Sequence, residues 1–211
     1  WSYEGSGRSR YLGGSSNCWG GLCSRLDPID FERRSWVSDS GWPIRATDLE
    51  AYYQRAGEIL DLKPGNLGED FTRSPENSGY LSEDFVPKRW SLSPPTKFGV
   101  KFRGELERAR LLHVFLSASV TDILLSPDGR FVREIACKLP SGRAARVSAR
   151  SFVLACGGIE NPRLLLNSCT QREGGVGNQR GCVGRYFMDH VYFNFAAELY
   201  LGARHVFPPG F

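Results

Sequence analysis

The sequence predicts a mixed α/β fold, and three stretches of the chain support that prediction. Residues 47–60 carry apolar side chains at the helical period. Residues 114–156 are typical of a three-stranded antiparallel meander, because two turn sequences separate three apolar runs. Residues 151–167 are typical of a strand, a glycine turn and a helix. A chain of 211 residues is long enough for one core, or for one domain plus an insertion.

A capping box predicts where the first helix begins. The Thr47 hydroxyl can accept from the third helical amide, while Glu50 reaches back to the start of the helix. Pro64-Gly65 is expected to stop this helix. Residues 63–98 are rich in Pro, Gly, Ser and Asn, which predicts a long functional loop or cap. A short helix is predicted over 103–112.

Turn residues divide the predicted meander. Ser126-Pro127-Asp128-Gly129 and Pro140-Ser141-Gly142 have the composition of tight turns. The three strands are therefore predicted within 114–125, 131–139 and 147–156.

The third strand is expected to end at a glycine turn that faces a ligand. Gly157-Gly158 separates the apolar run 151–155 from a helix predicted over 159–167. Pro162 fits the first turn of that helix, where its missing amide hydrogen costs little. In α/β sheets, such a strand–turn–helix junction commonly faces the bound ligand.

Composition limits the classes of function. Lys and Arg number 27 and Asp and Glu 23, a net charge of +4, which favours a solvated surface over nucleic-acid binding. No stretch reaches the roughly 18 apolar residues of a membrane span. The six cysteines are expected to be reduced thiols in a bacterial cytoplasm. Cys137 and Cys156 are expected in the core, and no metal site is predicted.

Residues 13–21, named the glycine loop from here on, form the most informative run of the sequence. The run is Gly-Gly-Ser-Ser-Asn-Cys-Trp-Gly-Gly. Glycine lets the backbone approach a ligand closely, and consecutive amides can bind an anion such as a pyrophosphate. A glycine-rich surface turn is the alternative interpretation.

Four further motifs follow the glycine loop in order. They are Ser40-Gly41-Trp42-Pro43-Ile44-Arg45, residues 48–56, residues 152–166 and residues 183–190. In this order and spacing the chain resembles the glucose-methanol-choline (GMC) oxidoreductase family. The resemblance is strongest to its bacterial sugar and polyol branch, and it covers roughly residues 10 to 195.

The resemblance implies an FAD-dependent enzyme that oxidises the CH–OH group of a sugar or other small alcohol. It also implies part of a Rossmann-like FAD-binding domain, with an antiparallel meander and the start of a substrate-binding domain. The electron acceptor stays open. The expected divisions are 1–46 with the glycine loop, 47–112 with a helix and cap, 113–185 with the meander and junction, and 186–211 at the start of the substrate-binding domain.

Two parts of the family pattern have no match in the sequence. The pattern Gly-x-Gly-x-x-Gly begins at Gly5 but fails at Arg10. No segment matches the family's C-terminal catalytic histidine, so no catalytic residue is assigned. The chain is therefore expected to be an internal fragment of an enzyme, inactive by itself. A non-catalytic remnant of such an enzyme, and an unrelated α/β nucleotide-binding module, are the alternatives.

The resemblance also implies which residues contact the cofactor. These are Gly13, Gly14, Ser15, Ser16, Asn17, Cys18, Trp19, Gly20, Val120, Ala155, Cys156 and Gly157. Relatives often carry at the position of Cys18 a histidine that can be joined covalently to the flavin. Cys18 is expected to pack against the flavin ring, with a cysteinyl link as the alternative. Val120 either meets the adenine through its backbone or is an ordinary strand valine.

Three other residues invite a functional interpretation. His190 could act as a base because histidine titrates near neutral pH, but its context in the family is a structural junction. Trp42 and Trp90 could line a sugar site, although aromatic residues in loops more often serve packing.

Overall fold

The structure is a computed structural model that describes residues 9–63, 67 and 90–189. These residues fall into two compact units, with the boundary between Leu116 and Ser117. Helices and antiparallel strands both occur, which confirms the mixed α/β class. Pro64-Gly65, His190 and the strand expected after it lie outside the described residues. No described helix is long and apolar enough to cross a membrane.

The first unit consists of short elements around one longer helix. In chain order they are a 3₁₀ turn Gly14–Asn17, β1 Leu22–Cys23, α1 Pro28–Phe31, a 3₁₀ turn Ala46–Leu49, α2 Glu50–Ile59, β2 Ser91–Leu92, α3 Phe98–Lys101 and α4 Arg103–Arg108. Strands β1 and β2 pair antiparallel. The short helix predicted over 103–112 therefore ends at Arg108, and β2 and α3 occupy part of the predicted loop.

The start of helix α2 differs from the predicted capping box. The Arg45 amide donates to the Asp48 carboxylate at 2.9 Å, and the Asp48 amide donates to the Arg45 carbonyl at 3.0 Å. This reciprocal pair begins a 3₁₀ turn ahead of α2, so Thr47 is not the cap. Glu50 is committed elsewhere, because both its oxygens accept from the Arg25 guanidinium at 2.7 and 3.0 Å.

The end of helix α2 is fixed by its own backbone, ahead of Pro64-Gly65. Asp61 adopts a left-handed conformation, with φ of 56°. The Leu62 amide donates to the Gly57 carbonyl at 2.9 Å, and the Asp61 amide donates to the Glu58 carbonyl at 3.3 Å. These two bonds form a Schellman motif, which ends helices at a residue of this conformation.

Residues 91–101, the clamp segment from here on, close the carboxyl end of α2. The Ser93 hydroxyl donates to the Leu60 carbonyl at 2.6 Å. The Lys101 ammonium donates to the Asp61 carboxylate at 2.7 Å, and the Thr96 hydroxyl donates to its other oxygen at 3.0 Å. Ser93 is fully buried, with 0% of its surface exposed. A cation and hydroxyl donors are what the negative end of a helix favours.

The second unit is a three-stranded antiparallel sheet covered by one helix. Its strands are β3 Ser119–Leu125, β4 Val132–Lys138 and β5 Ala144–Ser148, in the order β3-β4-β5, and its helix is α5 Glu160–Asn167. The predicted meander, both of its turns and the helix with Pro162 in its first turn are confirmed. The core of this unit contains Ile123, Leu125, Leu164 and Val176.

The third strand lies earlier than the sequence predicts. The Leu139 amide donates to the Arg143 carbonyl at 3.0 Å, so the turn is tight and pairing starts with Ala144 opposite Lys138. The last pair is Ser148 with Glu134, two residues after the start of β4. Residues 151–155 therefore belong to no strand of this sheet. The prediction of a strand over 147–156 was wrong beyond Ser148.

The outer edge of β3 is covered by the chain that follows α5. The Ser168 hydroxyl accepts from the Ile123 amide at 2.9 Å and donates to the Leu164 carbonyl at 2.8 Å. The Gln171 amide group bonds to both the N–H and the C=O of Leu125, at 2.6 and 3.2 Å. These side chains take the place of a fourth strand, and they satisfy backbone groups that burial would otherwise leave unpaired.

Replacing Ser168 with alanine is expected to lower the free energy of unfolding by about 1–3 kcal/mol, because the buried Ile123 amide loses its acceptor. Urea unfolding followed by far-UV circular dichroism measures the change. Ser141→Ala, at an exposed turn position of the same unit, is the control. It is expected to lower the free energy of unfolding less than Ser168→Ala does. Equal stability of the two variants would contradict the role given to Ser168.

Acid is expected to weaken the contact between α2 and the clamp segment. The Lys101 ammonium, followed by the Thr96 hydroxyl, lowers the pKa of Asp61 below its usual 3.8. Stability from a lowered pKa is fully present above the unfolded value and is lost as the pH falls through the folded value. Asp61→Asn should therefore reduce the loss of stability below about pH 4. Asparagine is chosen because it also tolerates the left-handed backbone of this position. Unfolding midpoints measured across pH check this, with Glu58→Gln as the control on the same helix.

Candidate functional site

The glycine loop begins with a change of direction that glycine permits. Gly13 and Gly14 have φ of 97° and 53°. The Gly14 amide donates to the Tyr11 carbonyl at 2.8 Å, and a 3₁₀ turn follows over Gly14–Asn17. The loop is therefore a defined turn, and its polar side chains have fixed positions.

Two of the polar side chains in the loop hold the loop itself. The Ser16 hydroxyl donates to the Gly13 carbonyl at 2.5 Å. The Asn17 side-chain amide donates to the Leu12 and Gly14 carbonyls at 3.0 and 2.9 Å. These side chains shape the loop, whereas Ser15, Cys18 and Gly20 are exposed.

The clamp segment packs directly on the glycine loop. A Cβ built on Gly99 would lie 2.3 Å from the Leu12 carbonyl oxygen, and one on Gly13 would lie 2.5 Å from the Gly99 nitrogen. The Phe98 amide donates to the Ser16 hydroxyl at 3.0 Å. The two backbones meet so closely that only glycine fits at both contact positions.

Two further bonds attach the far end of the loop to the clamp segment. The Trp19 indole N–H donates to the Thr96 carbonyl at 3.1 Å. The Ser93 amide donates to the Gly21 carbonyl at 2.8 Å, next to the short β1–β2 pair. Trp19 therefore has a fixed orientation, and Thr96 connects it to the end of helix α2.

The two cysteines near the loop have different surroundings. Cys18 is exposed, and its thiol donates to the Ser15 carbonyl at 3.4 Å. Cys23 is buried, and its thiol donates to the Gly21 carbonyl at 3.3 Å. Burial raises the pKa of the Cys23 thiol, although a backbone hydrogen bond from Ser93 opposes the shift. Cys18 is therefore the cysteine of this loop that solvent or a ligand can reach.

Gly20 and Gly158 differ from all other glycines of the described residues. Neither has a positive φ, and a Cβ built on either would meet no atom within 4 Å. The described fold therefore gives no reason for glycine at these two positions. A glycine at such an open position would let the backbone approach another molecule closely.

In the second unit, Val120 lies on β3 opposite Cys137. It is half-buried and packs against the core of the unit, as does Leu154. A bulge in the pairing separates Val120 from Asp122. The position serves the core, so the alternative of an ordinary strand valine already accounts for the side chain, while the backbone prediction stays untested.

Ala155, Cys156 and Gly157 form an exposed run directly before helix α5. The expectation that Cys156 is a core residue was wrong, because the chain leaves the sheet before this point; Cys137 is buried as expected. The Asn161 side chain holds the run from within the helix. It donates to the Leu154 carbonyl at 3.1 Å and accepts from the Cys156 amide at 2.9 Å.

Sequence reasoning missed the residues that position the glycine loop and the run from Ala155 to Gly157. Ser93, Thr96 and Asn161 are small polar residues in stretches without hydrophobic periodicity, so no pattern singled them out. For Asn161 a signal existed, because a polar side chain in the first turn of a helix commonly bonds to nearby backbone.

The two tryptophans that could line a sugar site are partly exposed. The Trp42 ring meets Phe31 edge-on, with 5.8 Å between ring centroids, and its side chain is 54% exposed. His113 is exposed. Among the described residues, no group of three or more His, Cys, Asp or Glu could hold a metal ion.

Comparison with known proteins found relatives at low identity. The chain is 22% identical to a 2-methyl-1,2-propanediol dehydrogenase of Mycolicibacterium austroafricanum, over 85% of this chain and 40% of the relative. It is 29% identical to a paromamine 6'-oxidase of Streptomyces fradiae, over 82% of this chain and 40% of the relative. It is 28% identical to an oxygen-dependent choline dehydrogenase of Paraburkholderia phytofirmans, over 77% and 34%.

No family model matches the chain, which spans about two fifths of the length of the curated relatives that it matches. Each of these relatives is named as a dehydrogenase or an oxidase. The resemblance to the GMC oxidoreductases that the motif order indicates is thereby confirmed at the level of the family.

Proposed function

We propose that this chain is part of an FAD-dependent oxidoreductase that acts on the CH–OH group of a sugar or another small alcohol. The observation that carries the proposal is the order of five motifs, which the chain shares with a family of dehydrogenases and oxidases. The glycine loop is proposed as a cofactor contact in the first unit. In the second unit, Val120 and the run from Ala155 to Gly157 are proposed as further contacts.

The described residues fit a flat, anionic cofactor. In the glycine loop, Gly14 and Gly20 leave open space where a side chain would stand. The exposed Ser15 hydroxyl can both donate and accept hydrogen bonds. No acidic residue occurs in the glycine loop, so nothing in it would repel a pyrophosphate. These features support binding of a dinucleotide at the loop.

The protein side of the proposed reaction is binding and orientation. The Ser16 and Asn17 side chains hold the loop in shape, and Thr96 holds Trp19, so the loop would meet a ligand with little reorganisation. Bound FAD would supply the electron acceptor, taking the carbinol hydrogen as hydride at N5 while a base takes the hydroxyl proton. We assign that base to no described residue.

The choice between sugar and simpler alcohol stays open in this proposal. The relatives are named as a propanediol dehydrogenase, a paromamine oxidase and a choline dehydrogenase. Each of the three compounds in these names contains a hydroxyl group. Their variety supports a small hydroxylated substrate without selecting one. The final electron acceptor stays open, and a cytoplasmic location stays a prediction of the sequence.

Full-length protein purified with FAD is expected to show the flavin absorption bands and to reduce an artificial acceptor with a panel of sugars and polyols. Gly20→Val is expected to weaken FAD binding at least ~tenfold, equivalent to about 1.4 kcal/mol, because its side chain enters the space left for the ligand. Fluorescence titration with FAD measures the affinity.

The control for this experiment is Gly104→Ala in helix α4 of the same unit, where alanine favours the helix. It is expected to leave FAD affinity unchanged. A wild-type protein without flavin bands would contradict the cofactor proposal. Bound flavin without turnover on any alcohol would favour the non-catalytic remnant.

The flavin is expected to leave the protein on acid precipitation, so that Cys18 is no covalent attachment point. A covalent link would need the Cys18 sulfur as the nucleophile, and this sulfur is hydrogen-bonded within the protein, to the Ser15 carbonyl at 3.4 Å and to the Ser9 hydroxyl at 3.5 Å. The colour of the supernatant and of the pellet is the measurement. A yellow pellet in the wild type that is absent in Cys18→Ser would show a covalent link.

A further inference from the structure

Asn161 holds the backbone on both sides of Ala155. Its Nδ2 donates to the Leu154 carbonyl at 3.1 Å, and its Oδ1 accepts from the Cys156 amide at 2.9 Å. The first bond fixes the peptide group before Ala155, and the second fixes the peptide group after it. Both bonds come from one planar amide, so the two peptide groups are oriented together.

The same residue holds the next step of the chain through its backbone. The Asn161 amide donates to the Gly157 carbonyl at 3.0 Å. Gly157 has φ of 92°, which turns the chain from Cys156 into helix α5. Three bonds from one residue therefore define the path of the chain from Leu154 to Gly157.

Few other described groups support this run. Ala155, Cys156, Gly157 and Gly158 are all exposed, and no atom lies within 4 Å of a Cβ built on either glycine. A four-residue run that is exposed yet held in place differs from an ordinary loop, in which exposure and mobility go together. A side-chain amide that bonds to nearby backbone can hold the residues of a binding surface in place.

We propose that Asn161 is a positioning residue, which holds Ala155, Cys156 and Gly157 in the conformation that meets the dinucleotide. This inference rests on the proposed function, because it takes FAD as the ligand of that run. Asn161 itself does not need to touch the cofactor. Its effect is to keep the run ordered before the ligand arrives, which lowers the cost of binding.

A matched control exists in the same unit. The Asn178 side chain makes the same two kinds of bond, donating to the Gly174 carbonyl at 2.9 Å and accepting from the Val183 amide at 3.0 Å. The segment that it holds is no part of the proposed cofactor contacts. Replacing either asparagine with alanine removes one donor and one acceptor, so both variants are expected to lose a similar amount of stability.

The experiment compares Asn161→Ala and Asn178→Ala in the full-length protein. Asn161→Ala is expected to raise the Kd for FAD about tenfold and to change the visible circular dichroism of bound flavin, while Asn178→Ala changes neither. Without FAD, hydrogen exchange at the Cys156 amide should be faster in Asn161→Ala. Asn161→Ser is expected to fold and to weaken FAD binding less than Asn161→Ala does. The serine hydroxyl can keep one of the two bonds, but the side chain is too short to make both.

Each outcome has one meaning. Wild-type affinity in Asn161→Ala, or an equal loss in Asn178→Ala, would overturn the positioning role while leaving the proposed function intact. If the wild type binds no FAD at all, the proposed function fails, and this inference fails with it. Hydrogen exchange at Cys156 that does not change in Asn161→Ala would also overturn it, whatever the affinity.

Discussion

The first unit depends on the backbone contact between Gly13 and Gly99. Each would place a Cβ closer than 3 Å to backbone of the other segment, so any larger residue must push the glycine loop and the clamp segment apart. The bonds from Trp19 to Thr96 and from Phe98 to Ser16 exist only while the two segments stay together. Because Thr96 also bonds to Asp61, the conformation of the loop is linked to the end of helix α2.

In the second unit, side-chain amides hold the edge of strand β3 and the run before helix α5. Side-chain amides of Asn161 and Gln171 each make two bonds to backbone, in the way that a neighbouring strand would. Such bonds satisfy buried or half-buried peptide groups without another strand. They also explain how the run before α5 keeps a defined path although it belongs to no sheet of the described residues.

Hydrophobic periodicity and turn composition predicted the parts of the fold that they physically determine. The helix with Pro162 and the turn at Asp128 follow from local preferences, and both are confirmed. The bounds of the third strand depend instead on the tight turn after β4, which starts the pairing at Ala144, so that strand was misplaced. The capping box failed because Arg25 binds Glu50, a contact over 25 residues. The loop was found as a candidate from its glycines, whereas the residues that hold it carry no local pattern.

The cover over β3 has a consequence for self-association of this protein. Strand edges promote aggregation when their backbone groups are open, and Ser168 and Gln171 close one edge of this sheet. Among the described strands of this sheet, β5 is the edge that remains to accept another strand. Arginines stand at both ends of that edge, at 143 and 150, with Arg146 between them. A second copy pairing antiparallel in a register centred on Arg146 would place arginine opposite arginine, and repulsion between like charges would oppose that pairing.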